Sequence, residues 1–197
     1  MRIVAGQWRG RRLAALGTGD AAAHLRPTSD RVREALFNVL AAQFGDPCAG
    51  ARVLDLFAGT GALGFEALSR GAAHATFVDQ GAKSHALLRK NASLLNCEPD
   101  VTLMRSDAAR LPASTVEPVD LVFMDPPYGK GLGERAAARL IAGDWLADDA
   151  LVIWEDNDAP AAPDDMTLVH ARRYGQTQIT IFRLTPKSEG RSRRPAR

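Results

Sequence analysis

Cysteine, aromatic residues and long apolar runs are all scarce in this sequence, and each scarcity removes a class of protein. The two cysteines among 197 residues, Cys48 and Cys97, are isolated and have no metal-type spacing. That excludes a disulfide scaffold and a cysteine-based zinc site, leaves two free thiols, and predicts no metal. No continuous apolar stretch reaches the roughly 20 residues needed to cross a bilayer. The N-terminus carries Arg2, Trp8, Arg9, Arg11 and Arg12, so it lacks the apolar centre of a signal peptide. A cytoplasmic protein with no membrane partner is the expectation. Aromatics make up 6% of the chain against 46% hydrophobic residues in all, so the core must be largely aliphatic, as is ordinary for an α/β domain of this length. No internal repeat is present.

Charge is nearly balanced overall, at +2, but unevenly placed. Residues 1–33 hold seven Arg against Asp20 and Asp30, a net +5, and residues 186–197 hold five cations against Glu189, a net +4; the body between them carries −7. An acidic body with basic ends suits a domain that grips a polyanion by its extremities. Trp8 stands among the N-terminal arginines, where an aromatic can stack on a base while its neighbours pair with phosphate. Arg9, Arg11, Arg12 and Arg31 are the companion candidates for RNA contact.

Two motifs carry chemistry. The apolar run Leu121-Val122-Phe123-Met124 ends in Asp125-Pro126-Pro127-Tyr128. An exocyclic amine on a nucleobase is a poor nucleophile, because its lone pair is delocalised into the ring, so a catalyst must hold it with acceptors. Asp125 can accept one N–H. Pro126 and Pro127 stiffen the turn, so a main-chain carbonyl here can be a second fixed acceptor. Tyr128 offers a flat face for the ring. Upstream, Arg52 to Phe57 reads as a strand running into Gly59-Thr60-Gly61-Ala62-Leu63-Gly64 and then a helix, a Gly-x-Gly-x-x-Gly loop in its strand-to-helix setting. Asp79 ends the next apolar run and is placed for ribose hydroxyls. Both NAD and S-adenosylmethionine carry an adenosine; Asp55, just before the loop, favours the second, since a carboxylate there suits an ammonium group and repels a pyrophosphate.

With Arg26-Pro27-Thr28-Ser29-Asp30-Arg31-Val32-Arg33-Glu34, Val4 to Gly10 and Glu66 to Ala72, these motifs make the chain resemble the RsmD family, the bacterial 16S rRNA (guanine(966)-N(2))-methyltransferases. The resemblance runs from Val4 to Gly175. It implies a Rossmann-like class I S-adenosylmethionine-dependent methyltransferase that modifies the exocyclic N2 of a guanine in 16S rRNA, within an assembling small ribosomal subunit, with a monomer as the expected state. Asp55, Phe57, Gly59, Thr60, Gly61, Asp79, Ser106 and Asp107 would hold the cofactor. Asp125, Pro126, Pro127 and Tyr128 would hold the target base, with Arg26 and Thr28 beside the pocket. Two departures stand out: Asp79 where the family more often has Glu, and Gln80-Gly81 at the start of the next helix. Adenine-N6 methylation of DNA or RNA is the alternative within the same chemistry. A NAD-dependent oxidoreductase would leave Asp-Pro-Pro-Tyr without a purpose, and a non-catalytic RNA-binding protein would leave the glycine loop without one.

The expected fold is α/β, a seven-stranded, mostly parallel sheet with a terminal antiparallel hairpin, plus an N-terminal β-hairpin and helix extension. Residues 1–46 form that basic extension, 51–185 the methyltransferase domain, and 186–197 a basic tail expected to be disordered. In detail, Arg2 to Leu16 reads as a β-hairpin around Gly10, Gly17 to Ala23 as a loop, and Thr28, Ser29 or Asp30 as the cap of a helix through Phe44 with Val32, Ala35, Leu36, Val39 and Leu40 on one face. Strands follow at 53–57, 75–79, 101–105, 119–124, 150–154, 167–173 and 177–184, with helices to Ser69, over 83–95 and over 133–141. Asp107 doubles as a helix cap and an acceptor for the adenine amino group. His24, His74, His85 and His170 have no partner pattern, and Trp145 and Trp154 belong to the core.

Overall fold

The computed structural model describes residues 1–15, 30–127 and 129–185. The expected loop 17–23, His24, Arg26, Thr28, Tyr128 and the tail 186–197 lie outside the described residues. In chain order the elements are α1 (Asp30–Phe44), β1 (Arg52–Leu56), α2 (Ala62–Ser69), β2 (His74–Asp79), α3 (Ala82–Leu95), β3 (Val101–Arg105), β4 (Val119–Met124), α4 (Leu132–Ala142), β5 (Leu146–Asp156), β6 (Met166–Tyr174) and β7 (Thr177–Leu184). The strands form one seven-stranded sheet in the order β3-β2-β1-β4-β5-β7-β6. β1 to β5 run parallel, and β7 pairs antiparallel with both β5 and β6.

Helices cover both faces of the sheet, so the central strands are near-continuous apolar runs, as parallel strands buried on two sides must be. On one face Val53, Phe77, Phe123, Ile153 and Ile181 pack with residues of α1, α2 and α3; on the other Leu54, Leu56, Val122, Val152 and Phe182 pack with α4. The aromatic pair Phe37 and Phe123, with centroids 5.6 Å apart, joins α1 to the sheet. Cys48 and Cys97 are buried free thiols, with burial pushing each up to about 12. Trp145 and Trp154 are core. No helix among the described residues is long and apolar enough to cross a membrane.

Three local expectations change. The N-terminal hairpin is present but short: beside the Arg2 to Arg12 bridge, the Ile3 N–H donates to the Arg11 carbonyl, the Gly10 N–H to that of Ile3 and the Leu13 N–H to that of Met1. The pairing goes no further because the backbone N–H groups of Val4, Ala5, Gln7 and Trp8 are spent on α2. In α1 the fully buried residues are Arg33, Leu36, Phe37 and Leu40, while Val32, Ala35 and Val39 are only partly covered. A buried arginine turns the stripe, since its guanidinium has acceptors waiting inside. Finally, β5 begins at Leu146, four residues before its expected start; the pairing with β4 is irregular between Val119 and Leu121, which hides the early portion behind exposed Asp148 and Asp149.

Candidate active site

The chain runs outward from β1 to β2 to β3, then returns to place β4 on the other side of β1. Where strand order reverses in this way, the loops beyond the carboxyl ends of the two strands diverge and leave a crevice. The register pairs Leu56 with Met124. One residue further on, the glycine loop leaves β1 and Asp125-Pro126-Pro127 leaves β4, so the two motifs meet at one crevice although about 65 residues of sequence separate them.

The loop is tightly wound. Phe57 has a left-handed backbone with φ 59°, uncommon for an aromatic residue. Gly61 follows at φ 77° and is the N-cap of α2, without a side chain to offer. Asp55 supplies what is missing: its Oδ2 accepts the Gly64 N–H at 2.9 Å in the first turn of α2. Gly64 must lack a side chain, because a Cβ there would lie 2.4 Å from the Phe77 ring. Asp79 straddles the far side, with Oδ2 accepting the Gly59 N–H at 2.9 Å and Oδ1 the Gly81 N–H at 2.7 Å. The short aspartate therefore stabilises both the loop and the start of α3, and α3 begins at Ala82 despite Gln80-Gly81. Asp107, beyond β3, accepts the Ala109 N–H at 2.9 Å and caps a short 3-10 turn, with half-buried Ser106 beside it. The capping role expected for Asp107 is thus present, and its second oxygen, Oδ2, faces the Arg110 Nε at 3.7 Å.

The crevice is strongly acidic. Trp154 pairs with Met124, so Glu155 of β5 follows beside Asp125. Burial raises the carboxyl of Asp125 well above the ordinary range, and the negative charges of Glu155, Asp55 and Asp156 raise it further. Burial likewise lifts Asp55 from 3.8 to about 8; the Gly64 N–H opposes this and Asp79 adds to it. Because the folded state holds its proton more tightly than the unfolded chain does, the stability this group contributes is greatest in acid. It is lost as the pH rises from about 4 to about 8. Pro126 is buried and Pro127 exposed; Tyr128 lies outside the described residues. Among the described residues, no cluster of three or more His, Cys, Asp or Glu is arranged to hold a metal ion. His74 and His85 hydrogen-bond to Thr102 and to the Asp79 carbonyl respectively.

The N-terminal arm lies against α2, the helix that follows the glycine loop. Glu66, wholly buried, accepts the N–H groups of Val4 (2.7 Å) and Ala5 (2.9 Å) and the Arg70 Nε (2.9 Å), and it faces the buried Arg33 at 3.8 Å. Arg33 also donates to the Arg2 carbonyl and to Asp30. Ser69 donates to the Ala5 carbonyl and accepts the Trp8 N–H. Trp8 is half-buried and packs partly on the core; Arg9 and Arg12 are exposed, and Arg11 reaches the Leu94 carbonyl at 3.1 Å. Arg31 is exposed at the start of α1, next to Asp30, which is itself tied to Arg2. Glu66, Arg33 and Ser69, which stand in the family-like segments without an assigned role, are therefore part of this architecture, as is Asn91, which accepts the Ala14 N–H and donates to the Thr60 carbonyl. A charged residue inside the otherwise apolar helix Ala62–Ser69, and an asparagine at the 3.6-residue spacing of Leu88, Ala92 and Leu95, are the available signals.

Comparison with known proteins gives concordant matches. A protein family described as conserved hypothetical protein 95 matches residues 1–183. Ribosomal RNA small subunit methyltransferase D of Escherichia coli (strain K12) is 38% identical over 192 residues, covering 96% of this chain and 92% of that protein. Its namesake from Haemophilus influenzae is 37% identical over 187 residues, covering 92% and 93%. The solved structure of yhhF from Escherichia coli is similar at a TM-score of 0.81 and 36% identity, covering 95% of this chain and 99% of that one. TrmN from Thermus thermophilus shares the fold at a TM-score of 0.62 and 24% identity, covering 82% and 51%.

Proposed function

Because the chain belongs to the RsmD family, we propose that it is an S-adenosylmethionine-dependent methyltransferase acting on the exocyclic N2 of a guanine in 16S ribosomal RNA, during assembly of the small subunit in the cytoplasm. The observation that carries this reading is the Leu56 to Met124 pairing, which sets a cofactor-type glycine loop beside an amine-holding Asp-Pro-Pro turn. The donor set suits the cofactor. S-adenosylmethionine is cationic at its sulfonium and its ammonium, and Asp55 and Asp79 flank the glycine loop on the cofactor side of the crevice, apart from the Asp125 that faces the target amine. A pyrophosphate would find no countercharge among the same groups.

When bound, S-adenosylmethionine supplies an electrophilic methyl group. The chain's part is positioning. Asp55 faces the ammonium, each Asp79 oxygen keeps acceptor capacity for the ribose hydroxyls after serving one N–H, and Asp107 takes the adenine amino group. Asp125 and the Pro126 carbonyl each accept an N–H of the target amine, and Tyr128 stacks on the splayed-out base. Holding the nitrogen in line with the methyl supplies most of the rate, since a fixed near-attack geometry is worth several kcal/mol. Trp8, Arg9, Arg11, Arg12 and Arg31, with Arg26 and Thr28, hold the surrounding RNA.

The decisive experiment is labelled methyl transfer to RNA and to ribosomal particles from a strain lacking this protein, followed by nucleoside analysis. N2-methylguanosine is the expected product, and N6-methyladenosine would overturn the target assignment. Proton linkage gives a second check. A bound cation stabilises the ionised carboxylates, so Asp55, raised from 3.8 to about 8 in the free protein, gives up its proton on binding. Cofactor affinity is expected to rise with pH up to about 8, with proton release seen as calorimetric heats that depend on the buffer. Heats independent of the buffer between roughly pH 6 and 8 would remove Asp55 from the cofactor's surroundings.

A further inference from the structure

Asn91 of α3 is wholly buried between the N-terminal arm and the glycine loop. Its Oδ1 accepts the Ala14 N–H at 2.7 Å, and its Nδ2 donates to the Ala14 carbonyl at 3.2 Å and to the Thr60 carbonyl at 2.9 Å. The partners fix which way the amide points: one is a donor and must meet the oxygen, and two are acceptors and must meet the nitrogen. Both N–H groups are used. The amide is planar and rigid, so its contacts to Ala14 and to Thr60 cannot be adjusted separately. If either backbone moves, a buried polar group loses its partner at a cost that this enclosed position makes substantial.

Thr60 is the residue between the first two glycines of the loop, and Ala14 belongs to the arm whose arginines are assigned to RNA. The other end of the arm also reaches Thr60, with the Met1 sulfur 3.8 Å from its Oγ1. On the functional reading above, on which this step rests, the two ligands of the reaction thus bear on opposite sides of one amide. We infer that Asn91 is a positioning residue that couples cofactor binding to RNA binding. A loop settled around the cofactor holds Thr60 and, through Asn91, Ala14 in the geometry that RNA engages, and by linkage RNA tightens the cofactor site by the same factor.

The test measures S-adenosylhomocysteine affinity by calorimetry, with and without saturating 16S rRNA prepared from a strain lacking this protein. The wild type is expected to gain about 5-fold or more in affinity when RNA is present. Asn91→Asp keeps the acceptor for the Ala14 N–H but loses both donors, and its factor is expected to fall toward 1. Ala14→Pro attacks the bridge from the other side, removing the N–H without altering a buried side chain, and should lower the factor as well. Leu140→Val, which destabilises the opposite face of the sheet, should leave the factor intact, so general loosening does not mimic the result. A wild-type factor of 1, or a factor unchanged in both bridge variants, overturns the coupling while leaving the functional reading in place. Failure of the wild type to bind either ligand overturns the functional reading and the coupling with it.

Discussion

Asp125→Ala is expected to bind S-adenosylmethionine as the wild type does, yet to transfer methyl groups on the order of 100-fold more slowly or worse, the usual cost of deleting a preorganised electrostatic contact at the reacting group. The glycine loop, Asp55 and Asp79 make their bonds without Asp125, so cofactor binding has no reason to fail. The fold has no reason to fail either. Asp125 stands among like charges from Glu155, Asp55 and Asp156 that oppose its ionisation, and removing it relieves that repulsion. The measurement is single-turnover transfer alongside calorimetric binding of S-adenosylhomocysteine and a thermal melt. Near-normal turnover would exclude Asp125 from holding the amine, and a collapsed melt would mean that its role is structural.

Glu66→Ala should be the most damaging change to stability. The carboxylate serves Val4, Ala5 and Arg70, and it faces a guanidinium with no exposed surface. Removing one partner of a buried ion pair leaves the other charge uncompensated and typically costs 3–5 kcal/mol. For a chain of this size that corresponds to a melting temperature lower by roughly 6–20 °C. The arm should detach at the same time, since two of its backbone N–H groups lose their acceptor. Amide exchange at Val4 and Ala5 reports this directly. A melting temperature within about 2 °C of wild type would show that the Arg2 carbonyl and Asp30 alone satisfy Arg33.

What could be read in the sequence was the part that repeats a simple rule. The limits of β3, β4 and β7 coincide with their expected positions, because each is a short apolar or alternating run with polar punctuation. The two motifs at the crevice were legible for the same reason: glycine and proline impose backbone geometry wherever they stand. The rest depends on groups satisfied across long sequence separations. Arg33 looks like a solvent-facing residue until Glu66 and the Arg2 carbonyl are placed beside it, and nothing local in the hairpin says that four of its N–H groups go to α2. Asp55 shows the same limit at the site itself. Its position before the loop suggested a ligand contact, but one of its oxygens already holds the first turn of α2.

The order β5-β7-β6 also dictates a schedule of synthesis. β7 is the last of the described strands to leave the ribosome, yet it lies between two strands made before it, and β6 has no place in the sheet until β7 arrives. Until then β5 is an edge. Its stretch Ala150-Leu151-Val152-Ile153-Trp154 is rich in β-forming residues and free of charge, the kind of exposed strand that other chains pair with. The acidic crevice is made of residues translated well before this point, but the sheet that carries it closes only when residues 177–184 are out. A nascent chain halted at Tyr174 would already contain Asp55, Asp79 and Asp125 and would still carry an open, adhesive edge, so release of the last strand, and not completion of the site, marks the moment at which this enzyme becomes safe from its neighbours.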